Sequence, residues 1–425
     1  MIPFMITLFV VLLFISTPIA IVLLTVTGAT LFLFLDVPLQ ALFQQLLNVM
    51  DNFILLAIPF FILAGNIMAQ GSISKKLVEV MQLVVGRLPG GMAIAAILAC
   101  AFFAAISGSS PATVIAIGSI MIPALIKHGY DEDFSIGLLT SAGSLGILIP
   151  PSIPMVLYAL VMNVSVGQMF MAGFVPGLVV GGILIVYSFI LAKKNKWTYD
   201  KTYAKGEKTK LLLSASWGIA MPVIVLGGIY SGIFTPTEAA AVSVVYALLV
   251  EVLIYRDMDL EKFHRVLKES VILSSTLLFI IACAMTFIWL LTREQMPVIA
   301  AEYITTHIHN KYVFLLVINI FLLLVGCVMD IVSAIIIISP ILMVALEEFD
   351  INLIHYGIIM IVNIEFGFLT FPFGLNLFVT MGITGKSLTE IGKAVLPFLF
   401  LLLIGLFLIT YIPEISLWLP KLLLS

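Results

Sequence analysis

Four short stretches interrupt long apolar runs of this chain: Ser107-Gly108-Ser109-Ser110-Pro111, GILIPP at 146–151, Met329-Asp330-Ile331-Val332-Ser333 and GFLTFP at 367–372. Proline lacks an N–H, and serine competes for its own backbone, so these compositions break a helix. Inside hydrocarbon a break survives only within protein or beside a water-filled cavity, because backbone polar groups there find no solvent. Unwinding frees carbonyls that can coordinate a cation, while the helix N-termini beyond each break present N–H groups to an anion. The hydroxyls of Ser107, Ser109, Ser333 and Thr370 add oxygen donors suited to a small hard ion such as Na⁺. One such break reads as a kink. Four of them, related by a repeat, read as a cation-coupled site for an anion.

Three acids fall in apolar surroundings. Asp330 lies mid-run, where a buried carboxylate is costly unless a cation or hydrogen bonds meet it, and is the leading functional candidate. Glu365 precedes Gly367 and either orients a second ion site or packs as a neutral acid. Glu238 ends Thr235-Pro236-Thr237-Glu238, a capping box with proline at the first helical position, and reads as structural.

The elements that carry these residues belong to a membrane. The chain of 425 residues is 62% hydrophobic and only 10% charged, whereas a soluble domain carries about 25% charged residues. Mean hydropathy is +1.24. Runs of about 20 apolar residues, each long enough to cross a bilayer, recur from end to end. MIPFMITLFV lacks a basic segment and a cleavage site, so it reads as a first helix rather than a signal peptide. The three cysteines lie in apolar runs without metal spacing, the five histidines form no ligand motif, and no nucleotide-binding loop or hydrolase elbow occurs.

Two apolar runs, 92–126 and 312–346, have polar centres and read as helical hairpins that enter the membrane and turn back; one long tilted helix is the alternative. The stretch 146–176 aligns without gaps on 367–397, placing Gly146, Leu148, Pro151 and Pro176 on Gly367, Leu369, Pro372 and Pro397. The same offset of 221 residues carries Ser109 onto Asp330. The expected organisation is a first repeat at 1–195, with hairpin 92–126 and broken helix 133–162, and a basic linker at 196–210. A second repeat at 211–425 follows, with hairpin 312–346 and broken helix 353–384. Seventeen of the twenty Lys and Arg fall in 73–90, 127, 193–210, 256–268 and 386–393, which the positive-inside rule makes cytoplasmic. Five crossings per half then give an inverted repeat with both termini outside, provided 2–35 forms two crossings rather than one. Segments 73–88 and 294–308 read as interfacial helices. The seven lysines at 193–210 read as a solvated or lipid-facing linker, not a nucleic-acid site.

The motifs AIPFFILAGNIM (57–68), FAAISGSSPATVIAIGSIMIPAL (103–125), GILIPPSIPM (146–155), FTPTEAAAVSVVYAL (234–248) and GLNLFVTMGITGKSL (374–388) resemble the large membrane subunit of tripartite ATP-independent periplasmic (TRAP) transporters over nearly the whole chain. The resemblance implies an all-α polytopic protein of the bacterial inner membrane working as an elevator, in which hairpins and broken helices move against a scaffold. It implies sodium coupling, a small four-helix membrane partner and a periplasmic binding protein that delivers a carboxylate. By position, Ser107, Ser109, Gly146, Ile149 and Pro151 would form one sodium site and Asp330, Ser333, Gly367, Thr370 and Pro372 the other. Substrate would lie near Ser110, Ser152 and Asn376. LTFPFGLN at 369–376 and VMDIVSA around Asp330 depart from the frequent family pattern, so sialic acid competes with a C4-dicarboxylate as substrate. On the outer face, Arg293 is the candidate contact for the delivering protein. A stand-alone ion-coupled carrier is the nearest alternative. An intramembrane aspartyl protease is disfavoured, because Asp330 is the only aspartate deep in an apolar run.

Overall fold

The computed structural model describes residues 1–15, 17–35, 37–197, 206–371 and 374–424. Its first half contains α1 (Ile2–Phe14), α2 (Ile19–Phe34), α3 (Leu39–Met50), α4 (Ala57–Gln70), α5 (Ile73–Val85), α6 (Gly91–Ser107), α7 (Ser110–Lys127), α8 (Glu132–Leu148), α9 (Ile153–Val161) and α10 (Val166–Asn195). The second half contains α11 (Glu207–Tyr230), α12 (Pro236–Tyr255), α13 (Leu260–Arg293), α14 (Met296–His307), α15 (Lys311–Gly326), α16 (Ile331–Glu348), α17 (Leu353–Gly367), α18 (Leu375–Thr384), α19 (Leu388–Tyr411) and α20 (Glu414–Leu424). Among the described residues, eight helices are long and apolar enough to cross a membrane, or up to ten if each bent pair is one span. Residues 2–34 form two helices, and the rings of Phe4 and Phe34 lie 5.1 Å apart, so the start of α1 meets the end of α2.

Both expected hairpins double back. The far part of α7 lies against α6, and both ends of the pair meet at Trp197. The Gly90 N–H donates to the Trp197 carbonyl at 3.2 Å, and the Tyr130 ring lies 4.8 Å from the Trp197 indole. In the second hairpin, Phe314 near the start of α15 stacks at 4.4 Å on Phe349 just beyond α16, and Lys311 Nζ donates to the Asp350 carbonyl at 2.6 Å. The arm helix α5 buries Ile73, Leu77, Val78, Val80 and Met81 on one face. The second arm, α14, meets α15 at a bend of 120°.

The element order recurs at the offset seen in the sequence. Helix α7 spans 110–127 and α16 spans 331–348; α8 begins at 132 and α17 at 353. The caps recur too: Asp131 and Asn352 cap α8 and α17, and Ser109 and Asp330 cap α7 and α16. The halves differ where α3 and α4, parted by a turn at Asp51 and Asn52, correspond to the single 34-residue α13. Packing is crosswise. Helix α9 from the first half lies on α16 of the second hairpin, while α18 from the second half lies on α7 of the first. Small residues permit the close approaches that drive helix association where lipid supplies no hydrophobic force. A Cβ on Gly367 would stand 2.5 Å from the Gly326 Cα, and one on Gly137 would stand 2.1 Å from the Ala394 carbonyl.

The capping box appears as expected, with Thr235 and Glu238 bonding reciprocally at the start of α12. Most of the expected linker, 198–205, lies outside the described residues.

Candidate ion and substrate site between the hairpin tips

The two hairpin tips meet at one cavity of about 360 Å³. Residues 107–112 line it from the first tip, and Asp330, Ile331 and Val332 from the second. Ile147, Ile153 and Pro154 come from the first broken helix, with Phe368 and Leu375 from the second. Its opposite wall is α4 and α13, through Ile62, Gly65, Asn66, Leu273 and Leu277. Asn66 Nδ2 donates to Ser270 Oγ at 2.9 Å and braces that wall. The first turns of α7, α9, α16 and α18 all contribute lining residues. Four helix N-termini therefore converge on the cavity, each worth about half a positive charge. Asp330 is the one charged residue among the described lining residues.

At the first tip, α6 ends on Gly108, whose φ of +57° is left-handed, and the chain re-enters helix after the Ser109 cap. Pro111 sits in the first turn of α7, where a missing N–H costs nothing. The tip is seated on the break of the first broken helix, where α8 and α9 meet at 43°. The Gly108 carbonyl accepts from the Ile153 N–H at 3.4 Å, and a Cβ on Gly108 would stand 2.9 Å from the Pro151 carbonyl. A Cβ on Gly146 would likewise meet the Ser109 carbonyl at 2.5 Å. Ser107, Ser109, Gly146 and Pro151 are thus brought together at this seat. The backbone of Ile149 caps the end of α8, and its side chain faces Gly177 on α10. Thr113, absent from the sequence-based set, belongs here: its hydroxyl donates to the Ser109 carbonyl at 2.8 Å and lies 3.2 Å from Ser107 Oγ. Its signal was the i,i+4 spacing from Ser109.

The second tip is built differently. Asp330 stands at the second hairpin tip as expected, but its carboxylate, expected to be buried, is exposed because that tip ends at the cavity. Its carboxylate caps α16, accepting from the Ser333 N–H at 3.0 Å and the Ser333 hydroxyl at 2.5 Å. Gly367 lies against Gly326 on α15, and the Thr370 N–H closes a turn on the Gly367 carbonyl at 2.9 Å. Pro372 and Phe373 lie outside the described residues.

The three candidate substrate residues are fully buried. Ser110 Oγ donates to Glu365 Oε1 at 2.5 Å, and Asn376 Nδ2 reaches Ser110 Oγ at 2.7 Å and Glu365 Oε1 at 3.0 Å. Ser110 is at the cavity wall, whereas Ser152 and Asn376 stand behind it. Arg293 is far from these tips in chain position, at the end of α13, exposed beside Glu294 at 3.8 Å and over the Trp289 ring at 5.9 Å.

Sequence reasoning passed over Glu251, which is completely buried near the end of α12. Its carboxylate accepts from the Ser72 and Ile73 N–H groups at 3.0 and 3.1 Å, tying the start of arm helix α5 to α12. An isolated acid beside Tyr255 and Arg256 carried no motif; the partners are about 180 residues away.

The comparisons agree with this architecture. The profile of the family described as "Tripartite ATP-independent periplasmic transporter, DctM component" matches residues 6–415. A C4-dicarboxylate TRAP transporter large permease protein from Pseudomonas aeruginosa is 47% identical, covering 92% of this chain and 92% of its own length. An isethionate TRAP transporter permease protein DctMQ from Oleidesulfovibrio alaskensis is 39% identical over 95% of this chain and 64% of its own. A sialic acid TRAP transporter large permease protein from Vibrio cholerae is 35% identical over 97% of both. The crystal structure of the Alcanivorax borkumensis YdaH transporter aligns with a TM-score of 0.69, covering 96% of this chain and 98% of that one at 15% identity, a likeness of fold. The chain with two hairpin tips closing on one cavity therefore belongs to the TRAP transporter family as its large, multi-pass permease component of the bacterial inner membrane, a transporter and not an enzyme.

Proposed function

We propose that this permease couples sodium entry to import of a carboxylate delivered by a periplasmic binding protein, with a C4-dicarboxylate favoured over sialic acid. The observation that carries the reading is the cavity between the tips. It gathers the first turns of four helices, yet among its described lining residues there is no Lys, Arg or His. An anion there is matched by helix dipoles and by cations brought with it, not by fixed basic side chains. Bound sodium beside each tip would supply the missing positive charge. The residues assigned to this role are Ser107, Ser109, Gly146, Ile149 and Pro151 in one half, and Asp330, Ser333, Gly367, Thr370 and Pro372 in the other. The residues assigned to substrate are Ser110, Ser152 and Asn376.

Residues 1–195 and 211–425 are two inverted repeats joined by a cytoplasmic linker. The hairpins and broken helices move as an elevator against a scaffold that includes α4 and α13. The crosswise packing of α9 on α16 and α18 on α7 supports this division, because it ties both tips into one body. The substrate preference rests on the higher identity to the C4-dicarboxylate permease than to the sialic acid permease. A small four-helix subunit is the expected membrane partner. The isethionate relative, named DctMQ and longer than this chain, supports that pairing.

The test is uptake into proteoliposomes holding both membrane subunits, with binding protein and succinate or sialic acid outside. A sodium gradient should drive accumulation, and succinate should be the better substrate. Equal uptake with potassium or choline replacing all sodium would overturn the coupling.

A further inference from the structure

We propose that Glu365 is a positioning residue that couples the two ion sites to one another; this rests on the sodium-site reading above. Its carboxyl is completely buried, and one oxygen holds both Ser110 on the first hairpin tip and Asn376 on the second broken helix. These three side chains close a triangle, since Asn376 Nδ2 also reaches Ser110 Oγ at 2.7 Å. Ser110 follows Ser109 of the first site directly, and Glu365 lies on α17 just ahead of Gly367 of the second. A movement of the first tip on ion binding therefore pulls on the backbone that shapes the second site, and the reverse holds equally.

The triangle is not something the fold itself demands. At the offset that relates the halves, Ser110, Glu365 and Asn376 correspond to Ile331, Ser144 and Met155. Ser144 bonds the Ser141 carbonyl within its own helix, and Met155 packs toward Gly173 on α10. The second tip is thus held without a polar lock. A buried acid with one oxygen unpartnered costs free energy that the uncharged counterpart residues avoid, so its presence on one side only points to a role beyond packing. The far end of α18 has fastenings of its own. Thr380 and Thr140 hydroxyls lie 2.9 Å apart, and Lys386 pairs with Glu132 at 3.1 Å. Loss of the Glu365 carboxyl therefore removes the bond between α17 and the tip while α18 and the seat of the tip stay in place.

The experiment measures initial uptake against sodium concentration for wild type, Glu365→Ala, Glu365→Gln and Ser110→Ala in proteoliposomes, with thermal stability of each purified protein alongside. Coupling free energies between sites span roughly 5–150-fold in affinity. Glu365→Ala should therefore raise half-saturating sodium about tenfold and flatten the sodium curve toward non-cooperative. Glu365→Gln keeps an oxygen acceptor for Ser110 and Asn376 and should restore most of the steepness. Ser110→Ala should flatten the curve as well, and it decides the matter if Glu365→Ala does not insert. An unchanged sodium curve in Glu365→Ala, or in Ser110→Ala where that variant decides, overturns the inference, whatever happens to stability. Wild-type uptake that ignores sodium overturns the underlying reading instead, so the two failures are distinct.

Discussion

Alanine at Gly108 tests the seat of the first tip at its narrowest point. Two costs add there. The backbone φ of +57° is left-handed, which costs an L-residue roughly 1–2 kcal/mol. The new Cβ would stand 2.9 Å from the Pro151 carbonyl and 3.3 Å from the Ile153 N–H. Both are backbone atoms of the broken helix, so the tip must back away, and overpacking of this kind costs about 1–3 kcal/mol. The sum is on the order of 2–5 kcal/mol. Gly129 is the internal control: its φ is +82°, but nothing lies within 4 Å of its Cβ position. Gly129→Ala should lose only the backbone part, about 1–2 kcal/mol, and should transport normally. Thermal unfolding of the purified permease and sodium-dependent uptake of both variants check this. Gly108→Ala should unfold at the lower temperature and transport poorly even at saturating sodium. Equal stability and equal uptake in the two variants would refute the claim that tip and break are in close contact.

Ser109→Ala and Asp330→Ala remove the caps of α7 and α16, each worth about 1 kcal/mol of stability; uptake per inserted molecule should fall at least tenfold, and wild-type uptake in both would remove them from the ion sites. Glu238→Ala breaks the capping box and should lower the unfolding temperature while uptake per molecule stays unchanged. Arg293→Glu should shift uptake to higher binding-protein concentration without altering insertion, since rim charges act mainly on association; an unchanged curve assigns Arg293 to the solvated surface. Lys262 beside Asp257, and then the Ser72 hydroxyl, hold the Asp257 carboxyl below its ordinary value of 3.8. Its stabilising contribution is therefore complete above that value and is lost as pH falls through the lower folded one. Acid denaturation should begin at higher pH in Ser72→Ala, read by unfolding midpoints between pH 3 and 7.

Much of this protein is written locally along the chain. Apolar runs of spanning length, the basic segments at 73–90 and 193–210, and the capping residues Thr235 and Ser109 act through nearest neighbours and the bilayer. Breaks at 107–111 and 146–151 are local for the same reason, because proline and glycine act on their own turn of helix. The offset of 221 residues was legible because the repeat preserved the spacing of a few glycines and prolines. Other features depend on partners that spacing does not reveal. The exposure of Asp330 follows from a tip ending at a cavity, and hydropathy assigns any mid-run residue to the interior. Glu365 was visible as an acid in an apolar run, but its bonds reach residues 11 and 255 positions away. Glu251 finds the start of α5 across 178 residues. Which half of each broken helix packs on which hairpin was likewise decided in three dimensions, where small residues let backbones approach across the repeat. A buried polar side chain must be satisfied wherever the fold brings a donor, and only the fold says where that is.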